Sequence, residues 1–140
     1  MPKPPVPEQV SKLLSAANPS VITTVRSDGQ PVSVATWYLW EEGSVLVNMD
    51  RGRKRLDYMR AEPRVSLTVL ASGNWYTHVS LQGRVVELLD DPELTDIDRL
   101  ARHYTGERYH IRDRHRISAR IAVDRWHGWG AAENTDVVHH

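Results

Sequence analysis

The 140-residue sequence contains no cysteine and no phenylalanine, and lysine supplies three of its 18 basic residues. Without cysteine, the chain has no disulfide framework, no thiol nucleophile and no thiolate metal site. The 18 basic and 18 acidic residues cancel, so the basic excess typical of proteins that coat nucleic acid is missing. Length and composition predict a single domain spanning 1–140.

Long hydrophobic runs are also missing. The longest stretch without Asp, Glu, Lys or Arg is Val65–Gly83, whose Ser, Thr, Asn and His residues make it too polar for a membrane. The first seven residues are rich in proline and lack the apolar core of a signal peptide. We therefore expect a cytoplasmic protein with no membrane segment, in which residues 1–6 are flexible and 131–140 form a tail.

Hydrophobic periodicity and turn residues predict six strands and three short helices. The helices are expected after Pro7, within Asp50–Arg60 and after Asp91. The strands are expected at 21–25, 31–40, 45–49, 65–70, 75–89 and 117–129, the first three forming a meander. Gly83 predicts a β-bulge in the long fifth strand. This pattern favours a small antiparallel barrel with helices at its ends.

The strongest chemical signal is the basic segment Arg51–Arg60, which has five basic side chains and follows the third predicted strand. Gly52 permits a tight turn there, and backbone N–H groups at a helix start favour an anion. Arginine adds bidentate contacts to phosphate. The segment therefore indicates a phosphate site. The alternative is a solvated surface on which these charges pair with Asp50, Asp57 and Glu62.

Aromatic residues, histidines and a second basic stretch give weaker signals. The five tryptophans are typical of core and dimer-interface packing, and the alternative is a planar ring stacked on Trp75 or Trp126. The histidines lack the spacing of a metal site, so no metal is expected. The stretch Arg108–Arg125 suits a small anionic ligand better than nucleic acid, because acidic residues interrupt it.

The order of elements and several motifs resemble the split-barrel flavin and deazaflavin oxidoreductases, the superfamily of pyridoxamine 5′-phosphate oxidase. Asn48–Arg55 is the most specific of these motifs, and Val79–Val85 and Arg102–Gly106 support it. The resemblance covers roughly Pro7 to Trp129. It implies a chain that is mainly β with short helices, folded as a six-stranded antiparallel split β-barrel of the FMN-binding type.

Within this superfamily, the sequence is most similar to the branch that uses coenzyme F420, a deazaflavin with a phosphate and an oligoglutamate tail. The resemblance implies that Arg53, Lys54 and Arg55 bind the phosphate, and that Arg51 and Arg60 extend toward the tail. The remaining cofactor-binding residues are expected along the ring, on the second and third predicted strands: Val34, Ala35, Thr36, Asn48 and Met49.

The resemblance also implies a reductase that transfers a hydride between C5 of coenzyme F420 and an unsaturated small organic substrate. The catalytic residues are unknown; Tyr38, Tyr76 and His78 are candidate proton donors, and solvent is equally suitable. Vitamin B6 oxidation is not expected, because Ser33–Tyr38 lacks the arginine that grips the substrate phosphate in true pyridoxamine phosphate oxidases.

The implied assembly is a homodimer with the cofactor site at the subunit interface. Two alternatives keep the fold: an FMN-binding oxidoreductase and a non-enzymatic deazaflavin carrier. A third, a nucleic-acid-binding module that uses the arginines, disagrees with the neutral charge. The partner implied by the resemblance is therefore a small-molecule substrate rather than a nucleic acid or a membrane.

Overall fold

The computed structural model describes residues 1–133, and this part of the chain is mainly β, with seven strands and three α-helices. The elements in chain order are α1 Glu8–Leu14, β1 Ser20–Val25, β2 Pro31–Ala35, β3 Leu39–Glu41, β4 Ser44–Asp50, α2 Lys54–Ala61, β5 Arg64–Leu70, β6 His78–Asp90, α3 Thr95–Thr105 and β7 Arg116–Trp129. A short 3-10 helix, Gly130–Ala132, follows β7. Most of the predicted tail, 131–140, lies outside the described residues.

The strands form one antiparallel sheet in the order β2-β1-β5-β6-β7-β4-β3, so β2 and β3 are its edges. β2 ends at Ala35 and β3 begins at Leu39, so a short connection joins the two edges. Such a connection spans about 15 Å at most. The sheet therefore curls until its edges approach each other, which confirms the predicted antiparallel split-barrel fold.

The predicted second strand, 31–40, is two strands, which raises the number from six to seven in the part of the chain described. Thr36–Tyr38 interrupts it because its polar groups bond elsewhere. The hydroxyl of Ser20 donates to the carbonyl of Thr36 at 2.6 Å, and the Tyr38 hydroxyl donates to the carbonyl of Leu14 at 2.7 Å. The chain then crosses from β2, which pairs with β1, to β3, which pairs with β4, so the prediction of a three-strand meander is wrong.

Buried apolar side chains from five strands and two helices fill the barrel interior. Helix α1 contributes Val10 and Leu14, and α2 contributes Leu56 and Met59. The ring of Tyr38 is fully buried in the same cluster. Since apolar burial is the main force that holds helices onto a sheet, these side chains fasten α1 and α2 to the barrel. The basic start of α2 is thereby held next to the end of β4.

Strand β4 is buried on both faces. Its residues Val45, Val47 and Met49 belong to the barrel core, whereas Leu46 and Asn48 are buried outside that cluster. This alternation follows from the two-residue repeat of a strand. The strand therefore separates the barrel core from a second buried region on the outer side of the sheet.

Helix α3 covers this outer region. Its residues Ile97 and Leu100, together with Leu94, pack against Trp37 and Tyr109 outside the barrel. The carboxylate of Asp91 accepts hydrogen bonds from the N–H groups of Asp96 and Ile97, at 3.1 and 3.0 Å, and so caps the start of the helix. The predicted start near Asp91 is confirmed, although regular helix begins at Thr95.

The long strand β6 contains the predicted bulge. Its register against β7 shifts between Gln82 and Gly83. A Cβ atom at Gly83 would collide with the carbonyl oxygen of Ala122, so the close approach of the two strands requires glycine. The strand begins at His78 rather than at the predicted Trp75, because two successive turns occupy 71–77.

The N-terminal segment lies against the barrel. The backbone N–H of Trp126 donates to the carbonyl of Pro2 at 3.1 Å, and Val6 packs against the core. These contacts place Pro2 and Val6 on the barrel, and the flexibility expected for residues 1–6 stays a prediction. No helix within residues 1–133 is both long enough and apolar enough to cross a membrane.

Candidate functional site

A cleft with a volume of about 770 Å³ lies where the end of β2, the start of α2 and helix α3 come together. This volume is in the usual range for small-molecule and cofactor sites. Ile97 and Leu100 of α3 and Leu70 at the end of β5 supply apolar lining. The cleft lies outside the barrel core, on the side of β4 that carries Asn48.

The predicted site residues divide into two groups. Five line the cleft: Ala35, Thr36, Asn48, Arg53 and Arg55. Three are absent from its lining: Val34, Met49 and Lys54. Neighbouring strand residues point to opposite faces, which explains why the side chain of Met49 belongs to the barrel core while that of Asn48 faces outward.

Three arginines line the cleft: Arg53, Arg55 and Arg116. Within residues 1–133, none of the three forms an ion pair. The pKa of Arg55 is lowered, chiefly by burial and further by the charges of Arg53 and Arg116. A bound anion would relieve this repulsion and satisfy the unused N–H groups. The cluster is therefore chemically suited to a phosphate.

Of the three acids proposed from the sequence as partners of the basic segment, one pairs with Arg60 of that segment and two pair with arginines outside it. The pairs are Asp50 with Arg114 at 3.7 Å, Asp57 with Arg60 at 3.8 Å and Glu62 with Arg64 at 2.6 Å. Arg60 is therefore part of an ordinary solvated surface, whereas Arg53 and Arg55 are left facing the cleft. The solvated-surface interpretation therefore applies to Arg60, and the phosphate-site interpretation applies to Arg53 and Arg55.

An aromatic wall, formed by Trp37, Tyr104 and Tyr109, lines the same cleft. The rings of Trp37 and Tyr104 are stacked with centroids 5.4 Å apart, and Tyr109 meets Trp37 edge-on at 6.3 Å. The hydroxyl of Tyr104 donates to the carbonyl of Asn18 at 2.7 Å, which fixes the stack. The cleft thus combines flat aromatic surfaces, suited to a planar ring, with a cationic cluster.

The two tryptophans considered as ring-stacking partners lie elsewhere. Trp126 is buried in the barrel core, and Trp75 is 72% exposed on the loop before β6. Trp37 is the tryptophan that lines the cleft in the described structure. Its position just after β2, where the chain crosses between the edges of the sheet, brings it to α3.

None of the candidate proton donors lines the cleft. The hydroxyl of Tyr38 is held by Leu14 and Asn18, and burial raises its pKa strongly. Tyr76 is exposed, and His78 stacks on Trp129 at 4.5 Å. Burial also raises the pKa of Tyr104, a member of the aromatic wall, to about 12, so it is a neutral phenol at physiological pH.

Two residues of the cleft, Tyr109 and Arg116, were not singled out from the sequence. Both lie within or next to the polar loop that precedes β7, and Arg116 belongs to the second basic stretch. Alternation along β7 puts Arg116 on the face opposite Ile117, which was a usable signal. The sequence does not show which arginine of that stretch faces the cleft. Among the described residues, no group of three His, Asp or Glu side chains could hold a metal ion.

The family model for pyridoxamine 5′-phosphate oxidase matches residues 6–130. This chain belongs to that family. Its fold is the split barrel that defines this superfamily of flavin- and deazaflavin-binding oxidoreductases. Among curated proteins, no relative matches the chain.

Several solved structures have the same fold as this family member. An F420 reductase is 24% identical, with 86% of this chain and 98% of that chain covered and a TM-score of 0.78. A conserved hypothetical protein from Mycobacterium tuberculosis is 20% identical, with coverages of 99% and 92% and a TM-score of 0.71. An FAD-binding protein from Mesorhizobium loti is 25% identical, with coverages of 84% and 89% and a TM-score of 0.60.

Proposed function

We propose that this protein is a coenzyme F420-dependent oxidoreductase that transfers a hydride between C5 of the deazaflavin and an unsaturated small organic molecule. The observation that carries the proposal is the set of three unpaired arginines beside the aromatic wall in one cleft. A phosphorylated planar cofactor would satisfy both parts. Membership of the family and the likeness to an F420 reductase support the same assignment.

The chain's own residues would hold the cofactor at its two ends. Arg53 and Arg55 would bind the phosphate, together with backbone N–H groups at the start of α2. Ala35 and Thr36, small residues at the end of β2, would allow a ring to approach the backbone closely. When bound, the deazaflavin supplies the hydride chemistry, and the protein supplies orientation.

The proposal assigns no side chain as general acid. The phenol of Tyr104 in the cleft donates a hydrogen bond to the backbone carbonyl of Asn18, and burial raises its pKa. It therefore lacks the pKa near 7 that efficient proton transfer requires. Water reaching the open side of the cleft would supply the proton. The cytoplasmic location remains a prediction from the sequence.

The proposal includes a homodimer in which a second copy completes the cofactor site. Large apolar side chains are exposed on the described surface, notably Trp75, Tyr76 and Trp129, which are 72%, 62% and 38% exposed. Such aromatic exposure is typical of protein interfaces. Sedimentation velocity would measure the mass in solution, and a monomer at micromolar concentration would contradict this part of the proposal.

Anaerobic titration with coenzyme F420 and with FMN tests the cofactor assignment. We expect tighter binding of coenzyme F420, followed by absorbance at the deazaflavin band. A yellow protein that retains FMN through purification would instead support the FMN-binding alternative, whose ring and phosphate would fit the same cleft.

Turnover then separates an enzyme from a carrier. Reduced coenzyme F420 is mixed with quinone, enone and tetrapyrrole acceptors, and its reoxidation is followed by absorbance. We expect acceptor-dependent oxidation that the Arg55→Ala variant shows only at higher cofactor concentration. Tight binding without oxidation by any acceptor would favour the non-enzymatic carrier.

A further inference from the structure

Arg116 is a buried cation that forms no direct ion pair within the described residues. It is the first residue of β7 and is 9% exposed. It lines the main cleft and also a neighbouring cavity of about 380 Å³ whose other charged lining residues are Arg53, Arg114 and Asp50. Burying a charge costs several kcal/mol unless it is paired, so an anion at this position would be strongly stabilised.

Neutral groups hold the guanidinium of Arg116 from one side. Its Nε donates to Oδ1 of Asn48 at 2.8 Å, and its central carbon lies 5.1 Å from the ring centroid of Tyr109. Arginine has five N–H donors, and Nε is the one with a protein acceptor. The two terminal nitrogens therefore keep a free bidentate fork at the junction of the two cavities.

The acid opposite Arg116 on β4, Asp50, is close enough for its charge to interact with that of Arg116, but the two form no ion pair within the described residues. Asp50 faces Arg116 in the register between β4 and β7. Its carboxylate, however, accepts a hydrogen bond from the N–H of Gly52 at 2.8 Å and lies 3.7 Å from Arg114. Arg116 therefore remains available to a ligand.

Asn48 has no donor left for a ligand. Its side-chain nitrogen donates to Oδ2 of Asp91 at 3.1 Å and to the hydroxyl of Ser118 at 3.0 Å. Its oxygen accepts the hydrogen bond from Arg116. Both amide protons are thus used inside the protein, and Asp91 in turn caps α3. The amide of Asn48 therefore links Arg116 to Asp91 and the start of α3.

We infer that Arg116 binds the anionic part of the cofactor directly, and that Asn48 is a positioning residue that aims Arg116 rather than a cofactor ligand. This inference rests on the proposed function, because it adds a contact to the same site. It also changes the role expected for Asn48 from the sequence.

The first experiment compares coenzyme F420 with its ring-and-ribityl fragment, which lacks the phosphate and the tail. The dissociation constant of the fragment divided by that of coenzyme F420 measures how much the anionic part contributes to binding. We expect Arg116→Gln to reduce this ratio about tenfold or more, with the affinity for the fragment unchanged. Arg116→Lys should recover part of the loss, because it keeps the charge without the fork.

The matched control is Arg120→Gln, on the same face of β7. Arg120 donates to Glu41 at 3.1 Å and lies outside the lining of the cleft, so the ratio should stay at its wild-type value. The thermal unfolding midpoint of each variant verifies that it is folded. An unchanged ratio in Arg116→Gln, or an equal loss for both ligands, would overturn the role of Arg116.

A double-mutant cycle tests the role of Asn48. If Asn48 is a positioning residue, Asn48→Ala should lower the ratio in the wild-type background and have no further effect in the Arg116→Gln background. A direct ligand would cause the same loss in both backgrounds and would overturn the assignment. If Asn48→Ala does not fold, Ser118→Ala, which removes one support of the amide, should show the same dependence on Arg116 with a smaller loss.

The same data separate this inference from the proposed function. A wild-type ratio near one would mean that the cleft does not recognise the anionic part of the cofactor, and both would fail. A high wild-type ratio that survives in Arg116→Gln would leave the proposed function standing and remove Arg116 from the site.

Discussion

The three arginines of the cleft differ in their partners from three arginines outside it, Arg99, Arg112 and Arg120. Arg99 and Arg120 both pair with Glu41, and Arg112 pairs with Asp98. In contrast, Arg53, Arg55 and Arg116 form no ion pair with an acid of the described residues. The nearby carboxylate of Asp50 pairs with Arg114 instead. Paired arginines stabilise the fold or the surface, whereas an unpaired and partly buried group indicates a place for an external anion. The arrangement of acids, rather than the number of arginines, marks the site.

The largest expected effect concerns Met49, which the sequence assigns to the cofactor and the structure places in the core. Met49→Ala should lower the free energy of unfolding by about 2–5 kcal/mol, because it leaves a cavity among packed side chains. Urea denaturation measures this loss. Cofactor affinity of the folded variant should not change. Normal stability with lost affinity would instead place Met49 in the site.

Arg55→Ala should weaken cofactor binding and leave stability nearly unchanged, the reverse of the effects expected for Met49→Ala. We expect cofactor binding to weaken by about 1.5–3 kcal/mol, the usual scale for hydrogen bonds to charged groups. The free energy of unfolding should hardly change, because the guanidinium has no acidic partner in the described structure to lose. Calorimetric titration measures the cofactor affinity, and urea denaturation of the same sample measures the free energy of unfolding. A variant that loses stability and keeps its affinity would show that the cluster is structural.

The Arg112–Asp98 pair should affect stability and its pH dependence. The carboxylate of Asp98 accepts hydrogen bonds from Arg112 at 2.6 Å and from the N–H of Tyr109 at 3.0 Å, and these bonds lower the pKa of Asp98. A lowered pKa in the folded state adds stability above the unfolded pKa, near 4, which is lost as the pH falls through the folded value.

Two variants test this pair. Arg112→Ala should reduce the free energy of unfolding by about 1 kcal/mol at pH 7. Asp98→Asn should make that free energy less dependent on pH as the pH falls below about 5. Denaturant titrations at a series of pH values measure both, and an unchanged acid slope in Asp98→Asn would contradict the assignment.

The smallest effect is expected for Arg120→Gln. Glu41 keeps its contact with Arg99, and a partly exposed pair contributes about 1 kcal/mol or less. Neither stability nor cofactor affinity should change by more than this. A loss of affinity comparable with that of Arg55→Ala would show that the division between paired and unpaired arginines has no functional meaning.

Much of the fold was predictable because local chemistry specifies it. Val65–Leu70 alternates as a strand does, Gly83 marks a bulge, and Asp91 caps a helix. The interruption at Thr36–Tyr38 was not predictable, because it depends on partners in α1 and β1 that are distant in the sequence. The prediction of a meander failed for this reason.

The site was predictable where the signal was local. A basic run after a strand points to an anion site, and Arg53 and Arg55 line the cleft. Arg116 and the wall of Trp37, Tyr104 and Tyr109 come from separate parts of the chain. Sequence spacing carries no information on such distances, so their meeting could not be foreseen.

By itself, the sequence determined the elements, the neutral charge without cysteine and the anion-binding character of the segment after β4, because these depend on neighbouring residues. The tertiary structure alone decided which arginines remain unpaired, which face of β4 opens to the cleft and what Asn48 does. Those outcomes depend on acids and aromatic rings that the curled sheet and α3 bring together across the chain. Charge pairing depends on distance in space, and only the folded chain sets that distance.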